Sequence, residues 1–382
     1  METYLDNAAT TKCHPEVARL MTQIMCEDYG NAASLHTKGI AAEQRLRSAR
    51  ESIAHFLKVA ADEIIFTSGG TESDNLAIIG AAYAAMRRGK HIISSAIEHP
   101  AVAEALNYLE REGFRVTRLP VDGQGRVRVA DLEGAIRAET ILVSIMHVNN
   151  EMGSVQPIAA IGELLHKTRP QIIFHVDAVQ GFGKIPVWPK QAHIGLLSAS
   201  AHKIHGPKGV GLLYADKSIK LKPLGFGGGQ QGGLRPGTEN VPGSCGMAMA
   251  LKMMTENVGV DMPALKKRLT DGLVGIPDVY INSPEGELGA PHIVNLSVCG
   301  VKSEVMVHAL AEKNIFVSAG HACASHKPGQ FSPSLRALGL DKERLESALR
   351  LSFSHYTTME QIDYTLAAMC DIMPVLRRYA RR

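Results

Sequence analysis

A lysine lies at the end of an apolar segment, in a position where its amine could take part in chemistry. The stretch SASAHKIHGPKG, residues 198–209, places Lys203 between His202 and His205, directly after a run that is typical of a buried strand. Lysine is seldom buried without a partner. Lys203 therefore either reaches solvent at the end of the strand or supplies a reactive amine.

Polar residues of complementary chemistry end the other apolar segments. In TSGGTESDN, Gly69 and Gly70 allow a tight turn and Thr71 opens a helix. This arrangement suits a helix cap, with Asp74 three residues on, and also a phosphate site made of free backbone N–H groups, because both use the same end of a helix. Because ligands of open α/β sheets bind at the carboxyl ends of the strands, we expect these residues to meet. The other segment ends offer His99, Asn149, Asn150, Asp177, Gln180, Ser200 and His202.

This collection of side chains meets the requirements of pyridoxal 5'-phosphate (PLP). The aldehyde of that cofactor forms a Schiff base with a lysine, and its pyridine nitrogen stays protonated beside a carboxylate. Lys203 and Asp177 would supply these two groups. Because a helix N-terminus alone binds an anion weakly, Thr71, Ser200 and His202 would add donors to the phosphate.

Two competing types of site fit the sequence less well. GGGQQG, residues 227–232, has the spacing of a dinucleotide-binding glycine motif, but Pro236 and Pro242 follow where a long helix would have to form. His202 and His205 could be two ligands of a zinc site, but no third ligand lies close to them in the sequence.

Strand-like and helical segments must position the candidate residues. Short apolar, β-branched runs recur between residues 63 and 215, and helical patterns separate the earlier ones. This alternation predicts an α/β fold with a mainly parallel sheet that helices cover on both faces. After about residue 255, shorter mixed segments predict a smaller α+β domain. The strand candidates begin at Glu63, His91, Thr140, Ile172, Ile194 and Gly209.

The composition argues against several classes of protein. The 382 residues carry a net charge of only +3 without a basic stripe, so we expect no nucleic-acid partner. We also expect no membrane association, because no apolar run could span a bilayer, and the acidic start of the chain is unlike a signal peptide, which together predict a cytoplasmic protein. Six cysteines without a CxxC pair indicate neither a zinc knuckle nor a disulfide framework. The basic segment LRRYARR, residues 376–382, is typical of a solvated helix end or of a tail that docks an acidic partner.

The order of several motifs resembles that of the NifS/IscS-type cysteine desulfurases, which are fold-type I PLP enzymes of the class V aminotransferase family. The motifs are YLDNAATT, TSGGTESDN, EHPAV, MHVNNEMG, HVDAVQ, SAHKIHGPKG, RPGTEN and SAGHACAS, and the similarity runs from Tyr4 to about Thr358. The resemblance implies a large PLP-binding α/β domain, residues 15–255, with a mainly parallel sheet of the seven-stranded type. A smaller α+β domain would combine residues 1–14 and 256–382 and would carry a catalytic loop at about 319–334.

The resemblance also implies roles for individual residues. Lys203 would bind the cofactor covalently, Asp177 would pair with its pyridine nitrogen, and His99 would stack on its ring. Arg350 would bind the substrate carboxylate, and Cys323 would be the catalytic nucleophile. The remaining contacts to cofactor and substrate would come from Gly70, Thr71, Asn150, Gln180, Ser200 and His202, and from Thr238 of the neighbouring subunit in a homodimer.

The activity that the resemblance implies is the removal of sulfur from L-cysteine, which leaves L-alanine and a persulfide on Cys323. The sulfur would then pass to an acceptor or scaffold protein for iron–sulfur cluster assembly or thiolation. The alternatives are a selenocysteine lyase or another class V PLP lyase or aminotransferase, and a catalytically silent scaffold with the same fold. His321 and His326 flank Cys323, where they could activate the thiol or be ordinary solvated loop residues.

Overall fold

The computed structural model describes residues 1–256, 259–320 and 331–380, which alternate between strands and helices over much of their length. The strands are β1 (Thr3–Tyr4), β2 (Ile64–Thr67), β3 (His91–Ser95), β4 (Arg115–Leu119), β5 (Thr140–Ser144), β6 (Ile173–Asp177), β7 (Leu196–Ser200), β8 (Gly211–Ala215), β9 (Val279–Ile281), β10 (Ile293–Val298), β11 (Ile315–Phe316), β12 (Ser318–Ala319) and β13 (Ala348–Ser352). The helices are α1 (Pro15–Cys26), α2 (Thr37–Leu57), α3 (Gly70–Ala85), α4 (Pro100–Arg111), α5 (Val129–Ala135), α6 (Ile158–Thr168), α7 (Val241–Glu256), α8 (Met262–Leu273), α9 (Ser303–Glu312), α10 (Pro333–Ala337), α11 (Lys342–Glu346) and α12 (Met359–Ala380).

Seven of the described strands form one large sheet in the order β2-β8-β7-β6-β5-β3-β4. The strands from β4 to β7 in this order run parallel, whereas β8 is antiparallel to both β7 and β2. Every residue of these strands is buried except in the edge strand β4, as expected for a sheet that is covered on both faces. The predicted α/β class with a mainly parallel seven-stranded sheet is confirmed.

Adjacent residues of the central strand β5 belong to different hydrophobic cores. Leu142 packs with Ile78 of α3 and Leu106 of α4 on one face of the sheet. Val143 belongs to the core on the other face, which includes Ile53 of α2 and residues of α6 and α7. Since successive side chains of a strand point to opposite faces, helices on both sides are needed to bury such an apolar strand.

A second, antiparallel sheet has the order β12-β13-β10-β9, and the short strand β1 pairs with β11 beside it. An isolated bridge from Asp6 to Ser352 joins the first residues of the chain to β13. Leu5 therefore lies in the same core as Leu296 and Leu351. The proposed domain boundaries, near residues 14 and 255, stay a prediction. Among the described helices, none has the length and apolarity that crossing a membrane requires.

Candidate active site

A cavity of about 350 Å³ lies where β5, β6 and β7 end, between the first turn of α3 and the segment Ala8–Ala9. Its position agrees with the rule that α/β sheets bind ligands at the carboxyl ends of their strands. Ten of the twelve residues that we predicted for the site line this cavity. They are Gly70, Thr71, His99, Asn150, Asp177, Gln180, Ser200, His202, Lys203 and Arg350.

The other two predicted residues are not among the lining residues of this cavity. Thr238 is exposed and does not line the cavity of its own chain. Cys323 lies outside the described residues, as do His321 and His326. The contribution of Thr238 to a neighbouring subunit and the nucleophilic role of Cys323 therefore stay predictions.

The start of α3 contributes Gly70, Thr71 and Asp74 to the lining of the cavity. The helix begins at Gly70, and its N-cap, Gly69, has a φ of 156° and offers no side-chain cap. The helix-cap alternative for Thr71 and Asp74 is therefore wrong, because both residues lie inside the helix. A Cβ atom on Gly70 would lie 2.6 Å from Cγ2 of Val179, so only glycine fits there. The N–H groups of this turn remain available to an anion.

Lys203 ends a short helical turn, Ala201–Lys203, directly after β7. Its Nζ donates hydrogen bonds of 2.7 Å to the carbonyl oxygens of Ala8 and Ala9. The amine is therefore held over the cavity by the N-terminal segment, which the sequence alone did not place there. Burial and the nearby Lys203 charge lower the pKa of the neighbouring His202 to about 4, so this imidazole is neutral at physiological pH.

Asp177, the last residue of β6, lines the same cavity as Lys203. It is 5% exposed, and its Oδ1 accepts a hydrogen bond of 2.9 Å from the backbone N–H of Val179. Burial raises the pKa of Asp177, and the charges of His99 and Lys203 act in the opposite direction. A cationic ligand beside Asp177 would therefore be favoured, because it would offset the cost of a buried carboxylate.

The ring of His99 and the amide of Gln180 also line the cavity. The Nδ1 atom of His99 accepts a hydrogen bond from the N–H of Ala101 at the start of α4, and burial lowers the pKa of the ring. The amide of Gln180 donates to the carbonyl oxygen of Ala8. Its Oε1 is buried and has no hydrogen-bond partner in the described part of the chain. A ligand hydroxyl could satisfy this oxygen.

Arg350, on β13, brings the second sheet to the same cavity. It is 4% exposed, and its Nη1 donates a hydrogen bond of 2.9 Å to the carbonyl oxygen of Asn150. Its Nη2 donates to Asp6 and Ser318, whereas Nε is buried and finds no acceptor among the residues that the structure describes. A guanidinium with an unused N–H at a cavity wall is suited to binding a carboxylate.

Two buried carboxyl groups beside Asp177 were missed by the sequence analysis. Asp74 lines the cavity, and burial together with the Asp177 charge raises its pKa well above the ordinary value. Glu98 accepts hydrogen bonds from the Ser95 hydroxyl and the Met146 N–H, and burial raises its pKa to about 8. The sequence did contain a signal for Asp74. This residue lies four positions after Gly70, the first residue of α3, and residues four apart lie on the same face of a helix.

The free energy of unfolding of the parent protein should fall as the pH rises, because Glu98 is buried. We expect the Glu98→Gln variant to lack this decrease. Folded Glu98 keeps its proton to about pH 8, whereas the unfolded chain releases it near the ordinary value of 4.5. The folded state thus binds more protons between these values, and its free energy of unfolding falls with rising pH. Between about pH 5.5 and 7.5, the free energy of unfolding of the parent should therefore fall by about 1–3 kcal/mol relative to that of the variant.

Denaturant unfolding at both pH values measures this difference. Glu104→Gln is a suitable control, because Glu104 is an exposed glutamate on the following helix. If the free energy of unfolding of both variants changes with pH as that of the parent protein does, the assignment of a buried, protonated Glu98 is wrong.

Comparisons with known proteins give the following similarities. The model of the class V aminotransferase family matches residues 3–365. The chain is 44% identical to a NifS/IcsS protein homolog of Lactobacillus delbrueckii subsp. bulgaricus, covering 97% of this chain and 96% of that protein. It is 45% identical to the cysteine desulfurase IscS of Escherichia coli, covering 95% and 90% of the two chains.

Solved structures resemble the chain over similar lengths. A NifS-like protein superposes with a TM-score of 0.92 and 37% sequence identity, covering 98% of this chain and 100% of the other. The structure of SspA in complex with cysteine gives a TM-score of 0.82 at 32% identity, with 93% of this chain and 100% of that chain covered.

Proposed function

The chain belongs to the class V aminotransferase family, and from this membership and the cavity we propose that it is a PLP-dependent cysteine desulfurase. It removes sulfur from L-cysteine and releases L-alanine. The observation that carries the proposal is the convergence of Lys203, Asp177 and Arg350 on one cavity. Asp177 ends β6, Lys203 follows β7, and Arg350 lies within β13 of the second sheet. The family resemblance that the motifs predicted is confirmed.

The donors and acceptors of the cavity fit PLP. The first turn of α3, which has no side-chain cap and includes the lining residues Gly70 and Thr71, provides N–H groups for a phosphate. The unpartnered Oε1 of Gln180 matches the hydroxyl group on the cofactor ring. Asp177 matches the protonated pyridine nitrogen, and Lys203 matches the aldehyde. The proposed set of cofactor-binding residues is Gly70, Thr71, His99, Asn150, Asp177, Gln180, Ser200, His202 and Lys203.

PLP, when bound, supplies an electron sink that makes the Cα–H bond of an amino acid acidic. Arg350 binds the α-carboxylate of L-cysteine and so orients the substrate. Lys203 accepts the Cα proton on Nζ and returns a proton later as a general acid. The neutral ring of His202 adds no positive charge that would compete with the charge beside Asp177.

Cys323 is the proposed nucleophile in the sulfur transfer. Its thiolate attacks the sulfur of L-cysteine, so that a sulfur–sulfur bond forms while the Cβ–S bond breaks. The electron pair of the broken bond stays on the carbon fragment, which takes up protons and leaves as L-alanine. The enzyme keeps the sulfur as a persulfide and passes it to the thiol of an acceptor protein, such as an iron–sulfur scaffold.

The proposal includes a homodimer in the cytoplasm, with Thr238 of each subunit completing the phosphate site of the other. The exposed position of Thr238, away from the cavity of its own chain, supports this arrangement.

Product analysis with purified protein tests the proposed activity. The protein is incubated with L-cysteine and a thiol reductant, and alanine and sulfide are measured over time. We expect the two products in equal amounts. Pyruvate with ammonia in place of alanine, or a reaction with L-selenocysteine but none with L-cysteine, would contradict the proposal and favour another class V lyase.

A further inference from the structure

We infer that Asp6 is a positioning residue that tunes the affinity of Arg350 for the substrate carboxylate. Asp6 does not line the cavity, but its carboxylate forms an ion pair with the guanidinium of Arg350 from behind. The inference rests on the proposed function, because it takes the carboxylate-binding role of Arg350 as given. It adds that the negative charge of Asp6 lowers the affinity of Arg350 for the substrate carboxylate.

The contacts of Arg350 show how firmly its guanidinium is held. Nη2 donates to Oδ1 of Asp6 at 2.9 Å and to the hydroxyl oxygen of Ser318 at 3.1 Å. Nη1 donates to the carbonyl oxygen of Asn150 at 2.9 Å. Three contacts in different directions fix the plane of the group before any substrate arrives, so binding costs little side-chain entropy.

Not all donors of Arg350 are used by these contacts. A guanidinium has five N–H groups, and the described contacts of Arg350 use three of them. The N–H of Nε is buried and lacks an acceptor within the described ranges. Nη1 carries a second N–H that the described contacts do not use, and a carboxylate in the cavity could accept a hydrogen bond from it.

Asp6 is itself held in place from two sides. Its Oδ1 accepts a hydrogen bond of 2.8 Å from the hydroxyl of Ser318, the residue that also contacts Arg350. Its backbone bridges to Ser352, two residues beyond Arg350 on β13. The backbone of Asp6 is therefore anchored to the strand that carries the guanidinium, and its carboxylate is held by Ser318.

Two opposing effects on ligand affinity follow from this ion pair. Asp6 offsets the positive charge of the buried guanidinium and holds the group in one orientation. A substrate carboxylate must then share that guanidinium with Asp6, and the two negative charges repel each other over a short distance. The second effect weakens the binding of every monocarboxylate, including L-alanine, and so favours release of the product.

The charge effect predicts the direction of change in an isosteric variant. Asp6→Asn retains an oxygen that can accept from Arg350 and Ser318, but it removes the negative charge. The other carboxylate oxygen of Asp6, which Asn replaces with an amide nitrogen, has no hydrogen bond among the described contacts of this residue. We therefore expect the variant to bind a monocarboxylate about three- to tenfold more tightly.

The test uses 3-(methylthio)propionate, which has the carboxylate and sulfur of the substrate but no amine to react with the cofactor. Its dissociation constant is measured by isothermal titration calorimetry with the PLP-loaded parent, Asp6→Asn and Arg350→Lys proteins. The uncharged 3-(methylthio)propionamide is the control ligand, and its affinity should be equal for the parent and Asp6→Asn. If Asp6→Asn does not yield folded protein, Asp6→Ser removes the same charge.

The outcomes separate this inference from the proposed function. Tighter binding of the acid, but not of the amide, by the Asp6 variant supports the inference. Equal or weaker binding of the acid by a variant that keeps the parent melting temperature overturns it, provided that Arg350→Lys binds the acid more weakly than the parent. If Arg350→Lys binds the acid as well as the parent does, the carboxylate-binding role of Arg350 fails, and the inference fails with it.

Discussion

The Lys203→Ala variant is expected to lose the visible absorbance of a lysine-bound cofactor and to release no alanine or sulfide from L-cysteine. Lys203 provides the amine that reaches the cavity at the end of β7, where the carbonyl oxygens of Ala8 and Ala9 hold it. Without it, the cofactor has no covalent attachment and the Cα proton has no base. Loss of a general base alone lowers rates by about 10²- to 10⁴-fold.

Absorbance spectra and borohydride reduction measure this effect. Reduction of the parent protein should fix the cofactor to the peptide that contains Lys203, as mass spectrometry of the digest would show. Lys208→Ala is a matched control, because Lys208 lies five residues away in the same segment and is exposed. Retention of the parent absorbance in Lys203→Ala, or cofactor fixed to a different lysine, would refute the assignment.

The Cys323→Ala variant is expected to keep the cofactor absorbance and its response to L-cysteine, but to form alanine and sulfide only at background rates. The reason is that the residues proposed to hold the cofactor and the substrate, such as Asp177 and Arg350, line the cavity and do not depend on this thiol. Cleavage of the Cβ–S bond, in contrast, needs a nucleophile that attacks the sulfur. The effect should therefore fall on turnover and not on binding.

Mass spectrometry of the parent protein after brief exposure to L-cysteine provides the direct readout. We expect the peptide with Cys323 to gain one sulfur atom, and the gain to disappear after treatment with a reductant. Cys370→Ala serves as the control, because Cys370 is an exposed cysteine on α12. Sustained sulfide production by Cys323→Ala would exclude this residue as the nucleophile.

Those strands of the large sheet whose residues are all buried were predictable from the sequence. The six apolar runs correspond to β2, β3, β5, β6, β7 and β8. Strand β4 was not predicted, because it exposes Arg115 and Arg118, whereas β2 at the other edge of the sheet is fully buried. A strand with exposed residues needs no continuous apolar run, so it lacks the signal on which the prediction relied.

The main residues of the site were predictable for a related reason. Asp177 and Ser200 each end a recognisable strand, and Lys203 follows one. The carboxyl ends of neighbouring parallel strands meet at one edge of the sheet. Short-range patterns thus indicated both the elements and the edge where their polar ends collect. The family motifs then extended the set to residues such as Arg350, which no rule about strand ends would have included.

Contacts between distant parts of the chain were beyond the reach of such patterns. Asp6 and Arg350 are 344 residues apart, and they meet because the second sheet brings the first residues of the chain beside β13. Similarly, the raised pKa of Glu98 depends on the removal of its carboxyl from water, which no local pattern encodes. Periodicity and turn residues report on neighbours along the chain, whereas charge and solvation depend on all the atoms packed around a group, so these properties required the folded molecule.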